Sequence, residues 1–410
     1  MPEAQRQRIA AAPSLAERYT ATRRLSEALV APLSEADATL QSMPDASPAK
    51  WHLAHTTWFF ETFLLRDRLA GYRLFDEQWP FLFNSYYEAE GGRIPRARRG
   101  MLSRPALAEI REWRAHVDQA MEGLLGDPAQ RELIELGLAH EQQHQELLLT
   151  DFKHALFQNP LGPAMWTPVE SQQREDDGTE WHTHPGGITL AGHHGAGFAF
   201  DNEGPSHRVW LEPFALAGGL VSNGEWAQFM AAGGYRTASL WLSDGWEWVN
   251  RQSIAAPLYW RDGEQFTHAG WQPRDPAAPV THISYYEADA FATWAGARLP
   301  TEFEWEAIAQ AHDPAGGRQL DGAAPPLPQG GSSLFGDCWQ FTRSAYLPYP
   351  RFAPAAGAVG EYNGKFMAGQ WVLKGASCAT VRGHSRASYR NFFYPQQRWQ
   401  FTGLRLAKDL

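Results

Sequence analysis

The sequence predicts an α+β protein of two domains, a four-helix bundle followed by an irregular domain of short strands and much loop. Apolar residues recur at helical spacing in several long segments between residues 14 and 160. From about Trp166 the texture changes to short strand-like runs broken by Gly and Pro turns, with scattered Trp. No tandem repeat or true low-complexity block interrupts either half; residues 323–329 form only a short Pro/Ala loop.

The first helix is expected over Leu15 to Leu33, and the second follows Ser47-Pro48 and runs from Trp51 to Leu69. Two more are expected near Ala106–Leu125 and Asp127–Phe157, with Pro105 and Pro128 where a helix's first turn tolerates proline. Short connections between such helices suggest an up-and-down bundle. The exception is a connection over residues 71–104, too rich in aromatics and arginine to be a passive link. In the second half, helices are expected over Ser222 to Ala232 and Tyr285 to Ala295, and glycines at 192–197, 316–317 and 330–331 mark loops. The boundary is placed near residues 158–170, giving domains of 1–165 and 166–410.

At 410 residues the chain can bury two full cores. A formal charge of −10 leaves no broad basic field for nucleic acid. No apolar run approaches membrane-spanning length, and Met1 to Ala12 are polar and charged, so neither a membrane nor a signal peptide is expected. Cys338 and Cys378 are too few for a disulfide framework, which fits a reduced, cytoplasmic setting. The 18 Trp suit either a large aromatic core or aromatic-lined binding sites.

The segment His140-Glu141-Gln142-Gln143-His144 carries the sharpest chemical signal. Histidines at i and i+4 project from one helix face and suit a single metal ion. A third imidazole from Trp51-His52-Leu53-Ala54-His55 would complete a three-nitrogen face, leaving positions open for substrates and dioxygen. His52 and His55 compete for that role, and the apolar pattern around them does not choose. The pentapeptide also fits a zinc metallohydrolase with Glu141 as general base. Against this, Leu147 and Thr150 stand where the extended zincin motif needs Gly and His; Glu170 or Glu175 would have to serve as a distant third ligand.

Four stretches together resemble the ergothioneine-biosynthesis sulfoxide synthases: Trp51–His55, His140–His144, Arg298-Leu299-Pro300-Thr301-Glu302-Phe303-Glu304-Trp305-Glu306 and Arg390-Asn391-Phe392-Phe393. The resemblance spans residues 14 to 408. It implies an N-terminal DinB-like bundle and a C-terminal domain of the formylglycine-generating-enzyme (C-type-lectin-like) fold. It further implies Fe(II) held by His55, His140 and His144, with His52 structural. The implied reaction uses dioxygen to join a sulfur donor to the imidazole C2 of hercynine. Tyr86 and Tyr87 match the tyrosine pair of the branch that uses free cysteine, in which one tyrosine manages protons. Gln143 and Asn391 match polar substrate contacts, and Phe392 an aromatic wall for the trimethylammonium group.

Departures bear on the donor. Phe393 replaces an acidic residue of the γ-glutamylcysteine-using enzymes; the basic loop Gly92–Gly100 resembles one in the cysteine-using branch, with Ile94 where that branch commonly has His. Trp339-Gln340-Phe341-Thr342 and Lys374-Gly375-Ala376-Ser377 depart from the fold's usual Trp-Glu-Trp-Thr and Arg-Gly-Gly-Ser. Gln340, Phe341 and Phe393 would suit a neutral selenosugar, as in the related selenoneine synthases, and the reading leans there. Cysteine is the alternative donor, because Arg93, Arg96, Arg98 and Arg99 could clamp a carboxylate. A non-catalytic binding module is the third reading. Cys338 and Cys378 sit in fold motifs and are read as structural.

Overall fold

A computed structural model of the chain describes residues 13–169, 180–354, 360 and 363–410. Met1–Ala12, Glu170 and Glu175 lie outside the described residues.

The helical part contains α1 (Leu15–Val30), α2 (Glu35–Thr39), α3 (Ala49–Phe60), α4 (Trp79–Phe83), α5 (Leu107–Met121) and α6 (Arg131–Gln158). The four expected helices are α1, α3, α5 and α6. Ser14 opens α1 through a reciprocal capping box with Glu17, and Pro48 precedes α3. All twelve residues of α3 are buried, as expected of a central helix packed on every side. Beyond Phe60 the chain tightens no further but widens into a π-helical run, Glu61–Arg66. Pro105 falls just before α5 rather than inside its first turn, and Pro128 opens a short 3₁₀ turn ahead of α6. The connection over residues 71–104 is structured by α4 and two 3₁₀ turns.

One glycine sets the spacing of the bundle. A methyl group at Gly137 on α6 would lie 2.7 Å from a ring carbon of Phe60, so only glycine lets α6 approach α3 this closely.

The strand-bearing part follows with β1 (Trp181–His184), β2 (Gly187–Ala191), β3 (His207–Leu211), β4 (Phe214–Ala217), α7 (Asn223–Ala231) and α8 (Ser243–Arg251). Next come β5 (Trp260–Arg261), β6 (Glu264–Thr267), β7 (Gly270–Pro273), α9 (Tyr285–Trp294) and α10 (Glu302–Ala309). The chain ends with β8 (Trp339–Ala345), β9 (Trp371–Lys374), β10 (Asn391–Phe393), β11 (Thr402–Gly403) and β12 (Ala407–Asp409). Helices α7 and α9 match expectation; α8 and α10 were not expected. Among the described residues four small sheets form, and the one that matters for the site has the order β10-β9-β8-β11, with Asn391 opposite Leu373. A continuous apolar cluster runs from the bundle into this part, so the two share packed surface. Among the described residues no helix is long and apolar enough to cross a membrane.

Candidate metal centre

His55 comes from α3, and His140 and His144 come from one face of α6. A ring nitrogen from each lies within 4.8 Å of the others, near enough for one ion to engage all three. His55 is held between the faces of Trp51 and Trp58, at centroid distances of 4.6 and 5.3 Å. Its Nδ1 donates to the Phe83 carbonyl at 2.6 Å, which leaves Nε2 buried, unprotonated and without a partner among the described residues. Burial, with His140 beside it, pushes the His55 pKa well below the usual range; burial alone brings His140 down to about 3. Burial and the two other rings push His144 down likewise. Three neutral imidazoles, one presenting an orphaned lone pair, fit a divalent ion.

His52 does not join the trio. Its Nδ1 lies 2.8 Å from His144 Nδ1, and its Nε2 lies 3.1 Å from Asp151 Oδ2.

Glu141 faces away from this cluster. Its buried carboxylate accepts from Arg23 at 2.8 Å and from Ser26 at 2.5 Å, and pairs with Arg114. Burial works to raise its pKa, but the two guanidinium groups outweigh it and hold the carboxyl down to about 2. A group so clamped cannot serve as general base to a metal-bound nucleophile, so the local geometry removes the residue that a zinc hydrolase would need.

A cavity of about 310 Å³ opens beside the histidines, between α6 and the sheet carrying β10. His140 and His144 line it, and His55 lies deeper. Gln143, Asn391, Phe392, Phe393, Tyr86 and Arg96 also line it. Gln143 donates to the Tyr389 hydroxyl at 2.6 Å. Asn391 uses its own side-chain oxygen to accept from the Phe392 N–H at 2.9 Å, and Phe392 stacks on Tyr346 at 4.1 Å. The Tyr86 ring stacks on Tyr87 at 4.7 Å and meets the edge of Phe366.

Three expected site residues are corrected. Tyr87 is fully buried against Trp58 and Phe63 and does not line the cavity; Tyr86 alone of the pair does. Gln340 is inaccessible and spans the core, accepting from Trp305 at 2.8 Å and Arg405 at 3.0 Å and donating to the Leu334 carbonyl at 2.7 Å. Phe341 is buried likewise. The departures at 340 and 341 therefore belong to packing of the second part, not to a substrate wall. Cys338 and Cys378 are free, buried thiols outside the cavity lining, and burial pushes both pKa values up.

Glu146 and Tyr389 line the cavity without a sequence expectation, and Arg99, expected only as one of four arginines able to clamp a carboxylate, lines it too. Glu146, one turn beyond Gln143 on α6, accepts from Trp339 Nε1 at 2.8 Å and Thr380 at 2.7 Å, and also from Ser377. Burial pushes its pKa up. Its i+3 spacing from Gln143 was the available signal. Tyr389, next to the Arg390–Phe393 motif, stacks on Trp339 at 5.4 Å. Arg99 is buried over the Trp51 face at 3.3 Å, donating to Ser47 at 2.9 Å and Ser85 at 3.0 Å. It has no carboxylate within ion-pair distance among the described residues, and burial followed by repulsion from Arg96 pulls its pKa down.

Residues 18–148 match the DinB superfamily, and residues 167–322 match the sulfatase-modifying factor enzyme 1-like domain. The chain is thus a two-domain protein that sets a three-histidine DinB bundle against a formylglycine-generating-enzyme-type partner domain. It is 32% identical to the hercynine oxygenase of Mycolicibacterium thermoresistibile, over 92% of this chain and 90% of that one. It is also 32% identical to the hercynine oxygenase of Mycobacterium tuberculosis, over 92% of this chain and 94% of that one. The formylglycine-generating enzyme of Thermomonospora curvata is 37% identical over 31% of this chain and 47% of its own length. The chain belongs to the hercynine oxygenase family, the ergothioneine sulfoxide synthases.

Proposed function

We propose that this protein is an iron(II)- and dioxygen-dependent enzyme that joins a chalcogen to the imidazole C2 of hercynine, with a selenosugar as donor. The observation that carries the reading is one shared cavity: His140 and His144 line it together with Gln143, Asn391 and Phe392. The likeness to two hercynine oxygenases over most of the chain supports the same substrate.

Iron bound by His55, His140 and His144 would supply oxidising equivalents from dioxygen, which an unactivated imidazole carbon requires. The chain's own residues do the rest. Gln143 and Asn391 orient the substrate by its polar groups, and Phe392, fixed by its stack on Tyr346, offers a π face to the trimethylammonium group. Tyr86 holds a proton at its phenol oxygen beside the cavity. The aromatic wall of Phe392, Phe393 and Trp399 restricts water.

With Gln340 and Phe341 in the core, the sugar donor rests on other residues. Gln397, Gln400 and Trp399 line the cavity beside Phe393, and the Gln400 side-chain oxygen is buried without a hydrogen-bond donor among the described residues. An amide acceptor and aromatic faces suit a neutral polyol. Cysteine is the second reading, and Arg99 favours it: a buried guanidinium with no carboxylate partner among the described residues would welcome that of an amino acid.

The test is anaerobic Fe(II) reconstitution, then air and hercynine with a selenosugar, cysteine or γ-glutamylcysteine in parallel, products read by mass spectrometry. A selenium-bearing hercynine adduct supports the proposal. Preferential turnover of cysteine moves the protein to the ergothioneine branch, and no adduct with any donor defeats the enzyme reading.

A further inference from the structure

We infer that His52 is a positioning residue which, driven by Asp151, fixes the tautomer of His144 so that its Nε2 faces the metal site. The inference rests on the reading of His55, His140 and His144 as metal ligands.

The argument begins at Asp151, on α6 seven residues beyond His144. The Ser47 backbone N–H donates to its Oδ2 at 2.8 Å, and Trp399 Nε1–H donates to its Oδ1 at 2.9 Å. Neither group can do anything but donate, so both carboxylate oxygens act as acceptors. His52 Nε2, 3.1 Å from Oδ2, must then carry a proton and donate it. With a single ring proton, placed at Nε2, His52 has its lone pair at Nδ1. That atom lies 2.8 Å from His144 Nδ1, and a contact between two ring nitrogens needs one proton. His144 must supply it, which makes Nδ1 its protonated nitrogen and leaves Nε2 as the lone pair for a cation.

The arrangement mirrors His55, whose Nδ1 is fixed by a backbone carbonyl rather than by another side chain. Outer partners of this kind orient metal-bound imidazoles and raise their basicity, and their loss costs about 10–100-fold in metal affinity. Asp151 also draws three segments to one point: the turn before α3 through Ser47, α3 through His52, and the segment after β10 through Trp399. The same carboxylate that sets the ligand's tautomer therefore holds part of the cavity wall.

The test uses the full chain and Co(II) as probe, because its visible spectrum reports coordination without turnover. Asparagine places an acceptor oxygen near the position of His52 Nδ1, whereas phenylalanine keeps the ring and removes the acceptor. His52→Asn should hold Co(II) within about threefold of wild type, and His52→Phe should bind at least about tenfold more weakly with an altered spectrum. Equal affinity and spectrum for His52→Phe would overturn the inference. Should that variant fail to fold, selective ¹⁵N-histidine labelling of the metal-free wild type decides: His144 protonated at Nδ1 and His52 at Nε2 are expected, and the opposite tautomers refute it. No Co(II) uptake by wild type would overturn the metal reading and the relay together, whereas a failed hercynine assay with Co(II) bound would spare both.

Discussion

Gln143 donates its side-chain amide to the Tyr389 hydroxyl at 2.6 Å, joining two residues 246 positions apart. The bond holds Gln143 in the cavity lining, one residue from His144. It also couples the helix bearing two of the histidines to the segment that bears Phe392.

Tyr389→Phe removes this acceptor and keeps the stack on Trp339. One hydrogen bond is worth about 1 kcal/mol, so the KM for hercynine should rise roughly fivefold with a smaller change in kcat. Steady-state kinetics decide the point, and an unchanged KM would show that Gln143 does not bind substrate.

Phe392→Leu keeps bulk and removes the π face. Hercynine binding should weaken about 2- to 30-fold, the span of a cation–π contact of about 0.5–2 kcal/mol. Calorimetry with hercynine and with histidine tests the cause: the loss should be larger for the trimethylated ligand. Equal losses would refute the cation contact.

Glu141→Gln leaves Arg23 and Arg114 buried without their shared anion, at a cost of about 3–5 kcal/mol. The carboxyl is held down to about 2, below an unfolded value of about 4.3. Its stabilisation is therefore complete above the unfolded value and is lost as pH falls toward about 2. Urea unfolding should show wild type weakening through that window and Glu141→Gln weakening less steeply. Parallel pH profiles would contradict the assignment.

Glu146→Ala strips the acceptor from Trp339 Nε1, Ser377 and Thr380 at once. Each unsatisfied buried donor costs about 1–3 kcal/mol. Hydrogen exchange should quicken in β8 and around residues 377–380, while α1 and α5 stay protected. Uniform acceleration would mean a general loss of stability rather than loosened docking.

The four bundle helices were legible because each buries a face over several turns, and such periodicity survives local noise. Length does not separate α7 from α8, both of 9 residues; α7 opens with a Ser222–Glu225 capping box, whereas α8 has no side-chain cap. Helix α10 still carried its own mark, Thr301 with Glu304 in a capping box. The α6 histidine pair was legible because helical spacing alone puts i and i+4 on one face. Tyr86 and Tyr87 are adjacent in a connection with no periodicity, so nothing local tells which points to the cavity. Gln340 and Phe341 misled because β8 is covered on both faces there, and a departure from a motif does not reveal which way a buried strand residue looks. Contacts such as Gln143 to Tyr389 join distant positions and leave no pattern in one sequence.

All three imidazoles stand on helices that end by Gln158, whereas Asn391, Phe392 and Phe393 belong to a strand of only 3 residues. On the proposed reading the oxidant is handled on the bundle helices alone, whereas the choice of molecule is divided between Gln143 on α6 and this short strand. A lineage built this way can acquire a new substrate by rewriting one brief edge strand, while its oxygen chemistry passes to descendants unaltered.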